Sequence, residues 1–188
     1  MLVEAASPDG AVWLAVDLAL PGARVDPPVA TLGLRGLDAC RIRFERCSIP
    51  SRNLLAGGSG RETLALARLG VAATSVGLAQ AAFEAALRYA QQRTTFGKPI
   101  AQHQAIQLAL AGMATKITAA RLLAYDAAGA GLDDTRLLSA KVYASEVAYE
   151  VALDSMRVHG GYNAADRIEL ARRLSSRGAA GADRALER

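Results

Sequence analysis

The sequence predicts a mainly α-helical protein, in which an antiparallel helical bundle follows a partial antiparallel β-domain. The chain of 188 residues is 52% hydrophobic but only 5% aromatic, and Ala and Leu dominate it. Both residue types have a high helix propensity. The spacing of the apolar residues also changes, from strand-like to helix-like, near residue 58. We therefore assign a β-domain to residues 1–58 and a helical bundle domain to residues 59–188.

Residues 1–58 contain the strand signals. Val12–Val16 is a short apolar run with several β-forming residues, and Ile42–Glu45 alternates apolar and polar side chains. Turn residues such as Pro8–Gly10 and Pro21–Gly22 separate these runs. A sheet fragment of this size is too small to bury both of its faces. We therefore expect it to expose an edge and an apolar face that favour self-association.

Three helices are predicted after the flexible stretch Gly57–Gly60, over residues 61–92, 102–129 and 134–158. Their apolar stripes are Leu69, Ala73, Val76, Gln80, Phe83 and Leu87; Ile106, Leu110, Met113, Ile117, Ala120 and Ala124; and Leu138, Val142, Ser145, Tyr149, Leu153 and Met156. Asp133 or Asp134 is the expected N-cap of the third helix, and Gly160–Gly161 its end. Short connections predict an antiparallel bundle, with residues 163–188 as the candidate position of a fourth helix.

Composition argues against several classes of function. The net charge is +4, but the cations are scattered among acidic residues and form no basic stripe with aromatic residues, so we expect no nucleic-acid binding. Cys40 and Cys47 are seven residues apart, on opposite faces of a strand, which disfavours a mutual disulfide. No cysteine or histidine cluster suggests a metal site. We expect a soluble cytoplasmic protein, because we find neither a signal peptide nor an apolar run long enough to cross a membrane.

The segment Arg93–Gln104, with the sequence RTTFGKPIAQHQ, lies between the first two predicted helices. It combines a cation, an aromatic ring, a Gly-Lys-Pro turn and a helix start that carries amide side chains. This combination suits a large anionic ligand with an aromatic head, such as a dinucleotide. An ordinary helix–loop–helix corner with common turn residues is the alternative interpretation.

The pattern RxxFGxxIxxHQ after a long helix closely resembles the flavin-contacting segment of the acyl-CoA dehydrogenases. Leu32–Gly36, followed by Ile42–Phe44 and Ile49–Leu55, resembles the second half of the middle β-domain of that family. Together these matches span nearly the whole chain, but only the C-terminal half of a usual member. The resemblance therefore implies that the chain cannot form a standard active site without further protein.

The resemblance also implies a cofactor, FAD. The residues that it assigns to FAD in this segment are Arg93, Thr95, Phe96, Ile100, His103 and Gln104. Arg93 would pair with the pyrophosphate, since a planar cation matches phosphate oxygens. Thr95 would donate its hydroxyl, Phe96 and Ile100 would pack against the cofactor, and the last two residues would make polar contacts. In the family this loop reaches the FAD of a neighbouring subunit, so binding implies a homo-oligomer or a complementary chain.

A second family motif is only partly present. Members carry a glutamine, two residues and a Gly-Gly pair, with another glycine two positions later, on the adenine side of FAD. Here Gly160 and Gly161 remain, but Arg157 replaces the glutamine and Asn163 the third glycine. The two glycines still permit a close approach of ligand to backbone. His159 is interpreted as a packed or solvated histidine rather than a catalytic one.

Outside these two motifs one residue carries an implied role. Arg68, on the first helix, matches an arginine that helps to hold the active-site region of the family together. A solvated or ion-paired arginine is the alternative. Gln80 and Ser145 lie on predicted apolar faces and are expected to make structural hydrogen bonds only.

No catalytic carboxylate is found. The family chemistry removes a proton from the carbon α to a thioester while hydride leaves the β-carbon for the flavin, and a carboxylate takes that proton. Most members place a glutamate about two dozen residues beyond the double glycine, in a Tyr-Glu-Gly-Thr-like string. That count leads here to Arg184, and the nearby Glu187 would be a displaced base only if the register slipped. Other members carry the base just before the arginine matched by Arg68, where this chain has Ala67.

Three interpretations follow. The first is FAD-dependent α,β-dehydrogenation of acyl-CoA or another acyl thioester, by a chain that another chain completes and that is inactive alone. The second is a non-catalytic, truncated relative that acts as an assembly or regulatory partner. The third is a stand-alone helical binding module.

Overall fold

The computed structural model describes residues 1–31, 39–55, 59–131 and 134–161. In the β-region, β1 (Leu2–Ser7) and β2 (Gly10–Ala15) form an antiparallel hairpin. β3 (Ala23–Val25) and β4 (Ile42–Phe44) form a second antiparallel pair. The family-like phrase Leu32–Gly36 lies outside the described residues. The predicted strand character of this region is thus present in two small two-stranded sheets.

Three long helices follow, and they confirm the predicted fold class. They are α1 (Ser59–Gln92), α2 (Gln104–Gly129) and α3 (Asp134–His159). Their ends differ from the predicted ones by two residues or fewer. Asp133, one of the two expected caps of α3, lies outside the described residues, and Asp134 is the first residue of the helix.

The core lies between the three helices and is lined largely by alanine. The predicted face of α2 is confirmed, with five of its six residues buried, from Leu110 to Ala124. The predicted faces of α1 and α3 are wrong by about one residue. The buried residues of α1 and α3 in the core are Ala65, Ala72, Val76, Ala79, Ala82, Ala86 and Ala90, and Leu137, Ala140, Ala144, Val147, Ala148, Val151 and Val158. Ala73, Leu138 and Val142 are exposed instead.

The error has a physical reason. Closely packed helices bury their smallest side chains at the line of contact, and larger residues such as Leu69 and Phe83 then flank that line. Alanine also contributes little to an apolar pattern read from sequence, although it allows the closest approach of two backbones. The large apolar residues therefore indicated the edge of the contact rather than its centre.

One expectation about membranes also needs correction. Residues Glu62–Gln92 of α1 are long and apolar enough to cross a membrane by length and composition, although we expected no such segment. The alanine content of this helix raises its hydropathy without any long run of large apolar residues. A core helix of a helical bundle has the same property, and α1 packs against both α2 and α3.

The β-region rests on the first turn of α1. A Cβ atom placed on Gly60 would lie 1.8 Å from the ring of Trp13, so the indole covers this glycine directly. The segment before the helix is tied to β2 as well, since the Asn53 side-chain amide donates to the Ala15 carbonyl at 2.8 Å. Cys40 and Cys47 are free thiols.

The relative directions of the helices decide which segments meet. Ser155 of α3 contacts Ala82 of α1, and His159, four residues later, contacts Tyr89. Contacts that advance together along both helices show that α1 and α3 run parallel. The ends of α1 and α3 and the start of α2 therefore lie at the same end of the bundle. We call this the hairpin end, formed by residues 89–104 and 155–161.

Candidate functional site

The Arg93–Gln104 segment begins with a short hairpin at the hairpin end. β5 (Thr94–Thr95) pairs with β6 (Lys98–Pro99), and the Ile100 N–H closes the loop by donating to the Arg93 carbonyl at 2.8 Å. The two residues of the turn, Phe96 and Gly97, have φ angles of 52° and 77°. Positive values at both positions identify a type I′ turn, which usually carries Asn-Gly. Phe96 thus occupies a left-handed conformation that is unfavourable for its side chain.

The Phe96 ring is almost entirely in solvent, with 97% of the residue exposed. The ring meets His103 edge-on, with ring centroids 6.3 Å apart and an interplanar angle of 81°. A large apolar ring on a strained backbone has no evident role in the stability of the bundle. Such strain persists most often where a residue has a binding role.

Ile100 fixes the hairpin to the bundle. It begins a single 3-10 turn, Ile100–Gln102, and its side chain is buried in the core. The resemblance assigned this residue a contact with the cofactor. Its side chain packs within the core and anchors the segment from beneath, and its contact with the cofactor stays a prediction.

The first turn of α2 completes the segment. His103 is the N-cap residue of α2, but its side chain makes no capping hydrogen bond, and its Nε2 lies 3.3 Å from Thr95 Oγ1 instead. The His103 carbonyl accepts from the N–H groups of Ile106 and Gln107. Since the first N–H groups of a helix lack intrahelical partners, those of Gln104 and Ala105 remain available to a ligand. A helix start of this kind is suited to an anion.

Two cations stand beside this helix start. Arg93 and Lys98 are both exposed, and Lys98 Nζ lies 3.5 Å from the Gln102 carbonyl oxygen. Within the parts of the chain that the structure describes, neither forms an ion pair with a carboxylate. Sequence reasoning had not assigned Lys98 a role, although its place in the turn beside Arg93 was a usable signal. Two cations without acidic partners make this surface favourable for an anionic ligand.

Gly160 and Gly161 follow directly on α3 at the same end. Gly160 has a φ of 60°, and a Cβ atom at either glycine would meet nothing within 4 Å. Arg157, which stands where the family has glutamine, is 77% exposed and pairs with Asp154 at 2.7 Å. Asn163 lies outside the described residues. Among the described residues, nothing lies where a side chain at either glycine would begin, while the charge of Arg157 is offset by its neighbour.

The two candidate motifs meet through a pair of aromatic rings. His159 stacks on Tyr89 with ring centroids 4.6 Å apart, and the Tyr89 carbonyl accepts from the Arg93 N–H at 2.8 Å. His159 is thus a packed histidine, buried at 6% exposure, rather than a solvated one. Tyr89 was not identified from the sequence, and its position one turn before Arg93 was the only signal. The structure brings together motifs that are more than fifty residues apart in the sequence.

Arg68 is not part of the hairpin end. It is half-buried on α1, 25 residues before Arg93, which corresponds to about 37 Å along a helix. Its neighbour Ala67 is exposed and offers no acid, while Glu187 lies outside the described residues. Any role of Arg68 in an active site therefore concerns a separate surface.

The two polar residues expected to be structural do make such bonds. Gln80 joins α1 to α2, since its Oε1 accepts from Arg121 Nη2 at 2.8 Å and its Nε2 donates to Glu84 at 2.9 Å. Ser145 donates to the Val142 carbonyl of its own helix at 2.9 Å. These bonds satisfy both side chains without a ligand.

Comparisons with known proteins give a consistent result. A family model described as "Acyl-CoA dehydrogenase, C-terminal domain" matches residues 59–180. The chain is 40% identical over 151 residues to an acyl-CoA dehydrogenase of Bacillus subtilis, covering 76% of this chain and 40% of that protein. It is 38% identical over 157 residues to the caffeyl-CoA reductase-Etf complex subunit CarC of Acetobacterium woodii, covering 78% and 41%.

Solved structures agree with the sequence relatives. The crystal structure of an acyl-CoA dehydrogenase from Geobacillus kaustophilus superposes with a TM-score of 0.84 at 28% identity, covering 96% of this chain and 52% of that one. The chain therefore spans about two fifths of the curated relatives and about half of the solved structure that it matches.

Proposed function

Given that the chain belongs to the acyl-CoA dehydrogenase family, we propose that its hairpin end binds the nucleotide part of FAD. The reaction proposed for the whole protein is α,β-dehydrogenation of an acyl-CoA thioester. The observation that supports the site is the meeting of Arg93, the open start of α2 and the Gly160–Gly161 pair at one end of the bundle. These are the residues at which family-like motifs occur in the sequence.

The chemistry of these groups fits FAD. The guanidinium of Arg93 and the N–H groups at the start of α2 provide charge and directed donors for a pyrophosphate. Lys98 adds a second positive charge. The exposed Phe96 ring offers an apolar surface for an aromatic or ribityl portion, and the glycine pair allows close approach. When bound, the flavin supplies the acceptor for the hydride that leaves the β-carbon.

A neighbouring chain is part of the proposal. Within the described residues, the Phe96 ring meets His103 edge-on, Lys98 reaches the Gln102 carbonyl, and neither Lys98 nor Arg93 pairs with a carboxylate. A ligand that they reach would be held largely by other protein, from a second copy or a complementary chain. The names of the relatives support a CoA thioester as the substrate, since one is an acyl-CoA dehydrogenase and another a subunit of a caffeyl-CoA reductase complex.

Flavin binding is tested with the full chain, FAD and riboflavin. Binding by this site requires the pyrophosphate, so FAD should remain with the protein through gel filtration, as measured by flavin absorbance, whereas riboflavin should not. ADP should compete with FAD, because it carries the same pyrophosphate and adenine. Equal retention of riboflavin and FAD would contradict the proposed site, as would retention of neither when a complementary chain is present.

The Arg93→Ala substitution tests whether Arg93 binds the FAD pyrophosphate. Loss of a charge-assisted bond to phosphate should remove about 1.5–3 kcal/mol, which is roughly a tenfold to hundredfold loss of FAD affinity. Arg93→Lys should restore only part of it, since a point charge cannot replace a two-pronged donor. Arg157→Ala is the matched control, because this exposed arginine at the same end already pairs with Asp154. If Arg93→Ala retains FAD as well as the unaltered chain, the Arg93–Gln104 segment is only a structural connection between two helices.

A non-catalytic relative is the second candidate, favoured by the absence of an acid at Ala67. Without a carboxylate placed over the α-carbon, removal of the α-proton is slow, since loss of such a base costs about a hundredfold to ten-thousandfold in rate. We therefore expect no oxidation of acyl-CoA by the chain alone with an artificial electron acceptor. If turnover is seen, Glu187→Gln tests whether that residue is the base.

A further inference from the structure

His159 is a buried histidine that the proposed function does not use. It is the last residue of α3, and its Nδ1 lies 2.7 Å from the Ser155 carbonyl oxygen. A carbonyl oxygen only accepts hydrogen bonds, so Nδ1 carries a proton and donates it. This bond fixes the plane of the imidazole over the last turn of its own helix. The ring orientation is therefore set by α3, directly before the glycine pair.

The imidazole then makes a contact with the other helix. It stacks on Tyr89 of α1, with ring centroids 4.6 Å apart and an interplanar angle of 29°. One turn earlier on α3, the fully buried Ser155 hydroxyl donates to the Ala82 carbonyl at 2.8 Å. These contacts join α1 to α3 at a line of contact that is otherwise made mostly of alanine. Small alanine side chains interlock only shallowly, so these specific contacts help to fix the position of one helix along the other.

We propose that His159 is a positioning residue, which holds Gly160–Gly161 in register with the Arg93–Gln104 segment by stacking on Tyr89. The inference rests on the proposed function, because it explains how two separate segments form one FAD surface. The path is short and continuous. It runs from Gly160 to the adjacent imidazole, across the stack to Tyr89, and from the Tyr89 carbonyl to the Arg93 N–H at 2.8 Å.

The first test compares FAD affinity in two substitutions of His159 in the full chain. His159→Ala removes the stack and should weaken FAD by about threefold to tenfold, the range expected from the loss of one aromatic pair. His159→Phe keeps a ring against Tyr89 and should remain within about twofold of the unaltered protein. If His159→Phe is as weak as His159→Ala, or neither changes FAD affinity, the proposal is wrong.

Leu137→Ala separates positioning from general loss of stability. Leu137 is fully buried in the same helix, at the end far from the glycine pair. This variant should lose as much thermal stability as His159→Ala, or more, and yet bind FAD normally below its melting temperature. An equal loss of FAD affinity in Leu137→Ala would mean that His159 acts only through stability, which would overturn the proposal.

A second measurement does not depend on FAD. Amide hydrogen exchange in the ligand-free chain should become faster in residues 93–98 and 160–161 of His159→Ala, and Tyr89→Leu should produce the same pattern. In Leu137→Ala these two segments should keep their exchange rates relative to the rest of the bundle. If no FAD is bound even when a complementary chain is present, the proposed function fails, while this exchange pattern still decides whether His159 couples the two segments. Unchanged exchange in both segments would refute the coupling.

Discussion

The β-region and the helical bundle are held together by different means. In the described part of residues 1–55, Val16 is the one buried hydrophobic residue. The other buried hydrophobic residues that the structure describes are Ile100 and residues of the three helices. The strands are three to six residues long and form two-stranded sheets. Two-stranded sheets are marginal in isolation. The bundle therefore has a core of its own, whereas the β-region depends on what it contacts.

One contact between the β-region and the bundle is small and specific. Trp13 lies directly on Gly60, in the first turn of α1. The Leu55 N–H donates to the Trp13 carbonyl at 2.9 Å, which ties the segment before the helix to the same strand. The contact of this indole ring with this glycine therefore joins a region with almost no core to a region with an extensive one. Each of the following predictions tests part of this difference.

The largest effect is expected in the bundle core. Met113 is 1% exposed between the helices, and Met113→Ala should lower the free energy of unfolding by about 2–5 kcal/mol. Phe44→Ala, at a half-buried position in the β-region, should cost much less for a similar loss of volume. Urea denaturation followed by circular dichroism measures both. Equal costs would show that the β-region contributes a core comparable with that of the bundle.

The next effect concerns the contact between the two regions. Gly60→Ala places a methyl group against the Trp13 ring and should destabilise the protein by about 1–3 kcal/mol through overpacking. Trp13 is the single tryptophan of the chain, so its fluorescence should shift as the indole is displaced. Gly70→Ala is the matched control on the same helix. A Cβ atom there meets nothing within 4 Å, so this change should stabilise the helix by about 0.5–1 kcal/mol.

Each region also contains a strained residue, and the two strains should differ in function. Among the described residues other than glycine, Arg46 and Phe96 alone have positive φ, at 54° and 52°. Asn tolerates this conformation better, so Arg46→Asn and Phe96→Asn should each stabilise the protein by about 0.5–1 kcal/mol. Only Phe96→Asn should weaken retention of FAD. If Arg46→Asn weakens FAD retention to the same extent, the strain at Phe96 does not indicate a role in FAD binding.

The smallest effect is at the surface of the bundle. Lys116 of α2 pairs with Glu150 of α3 at 2.7 Å, and both side chains are well exposed. Lys116→Met should therefore cost only about 0.2–1 kcal/mol, the usual value of a surface ion pair. The cost should shrink in high salt, as measured by urea denaturation in two buffers. A loss as large as that of Met113→Ala would mean that the pair belongs to the core.

This ion pair also has a pH dependence with a defined sign. The hydrogen bond to Glu150 raises the pKa of Lys116 above its ordinary value of 10.5. A lysine with a raised pKa in the folded state contributes stability that is fully present below its unfolded pKa. That contribution is lost as the pH rises through the folded pKa, so the difference between Lys116→Met and the unaltered chain should vanish in strongly alkaline solution.

Much of the fold could be predicted from the sequence, because helix length and helix ends have local causes. The connections between helices contain the residues that stop them, such as Gly131 and the turn around Gly97. The buried faces of α1 and α3 could not be predicted from large apolar residues, because alanine fills the line of contact. The burial of a small side chain depends on the neighbouring helix, which the pattern of one helix does not contain.

The candidate site was predictable in its residues but not in its assembly. The resemblance identified the Arg93–Gln104 segment and the glycine pair separately. Their meeting depends on the parallel arrangement of α1 and α3, and on the contact between His159 and Tyr89. The inward packing of Ile100 was not predictable either, since an isoleucine in a turn gives no indication of the side to which it points.

The parallel arrangement of α1 and α3 has an electrostatic consequence. Each helix end carries a partial charge of about half an elementary charge, positive at the amino end and negative at the carboxyl end. Two carboxyl ends and one amino end meet here, so the helix dipoles alone leave the hairpin end slightly repulsive to anions. Arg93 and Lys98 must overcome this repulsion. The N–H groups at the start of α2 can direct an anion, but the net attraction at this end should come from the two exposed cations, so anion affinity should fall as ionic strength rises.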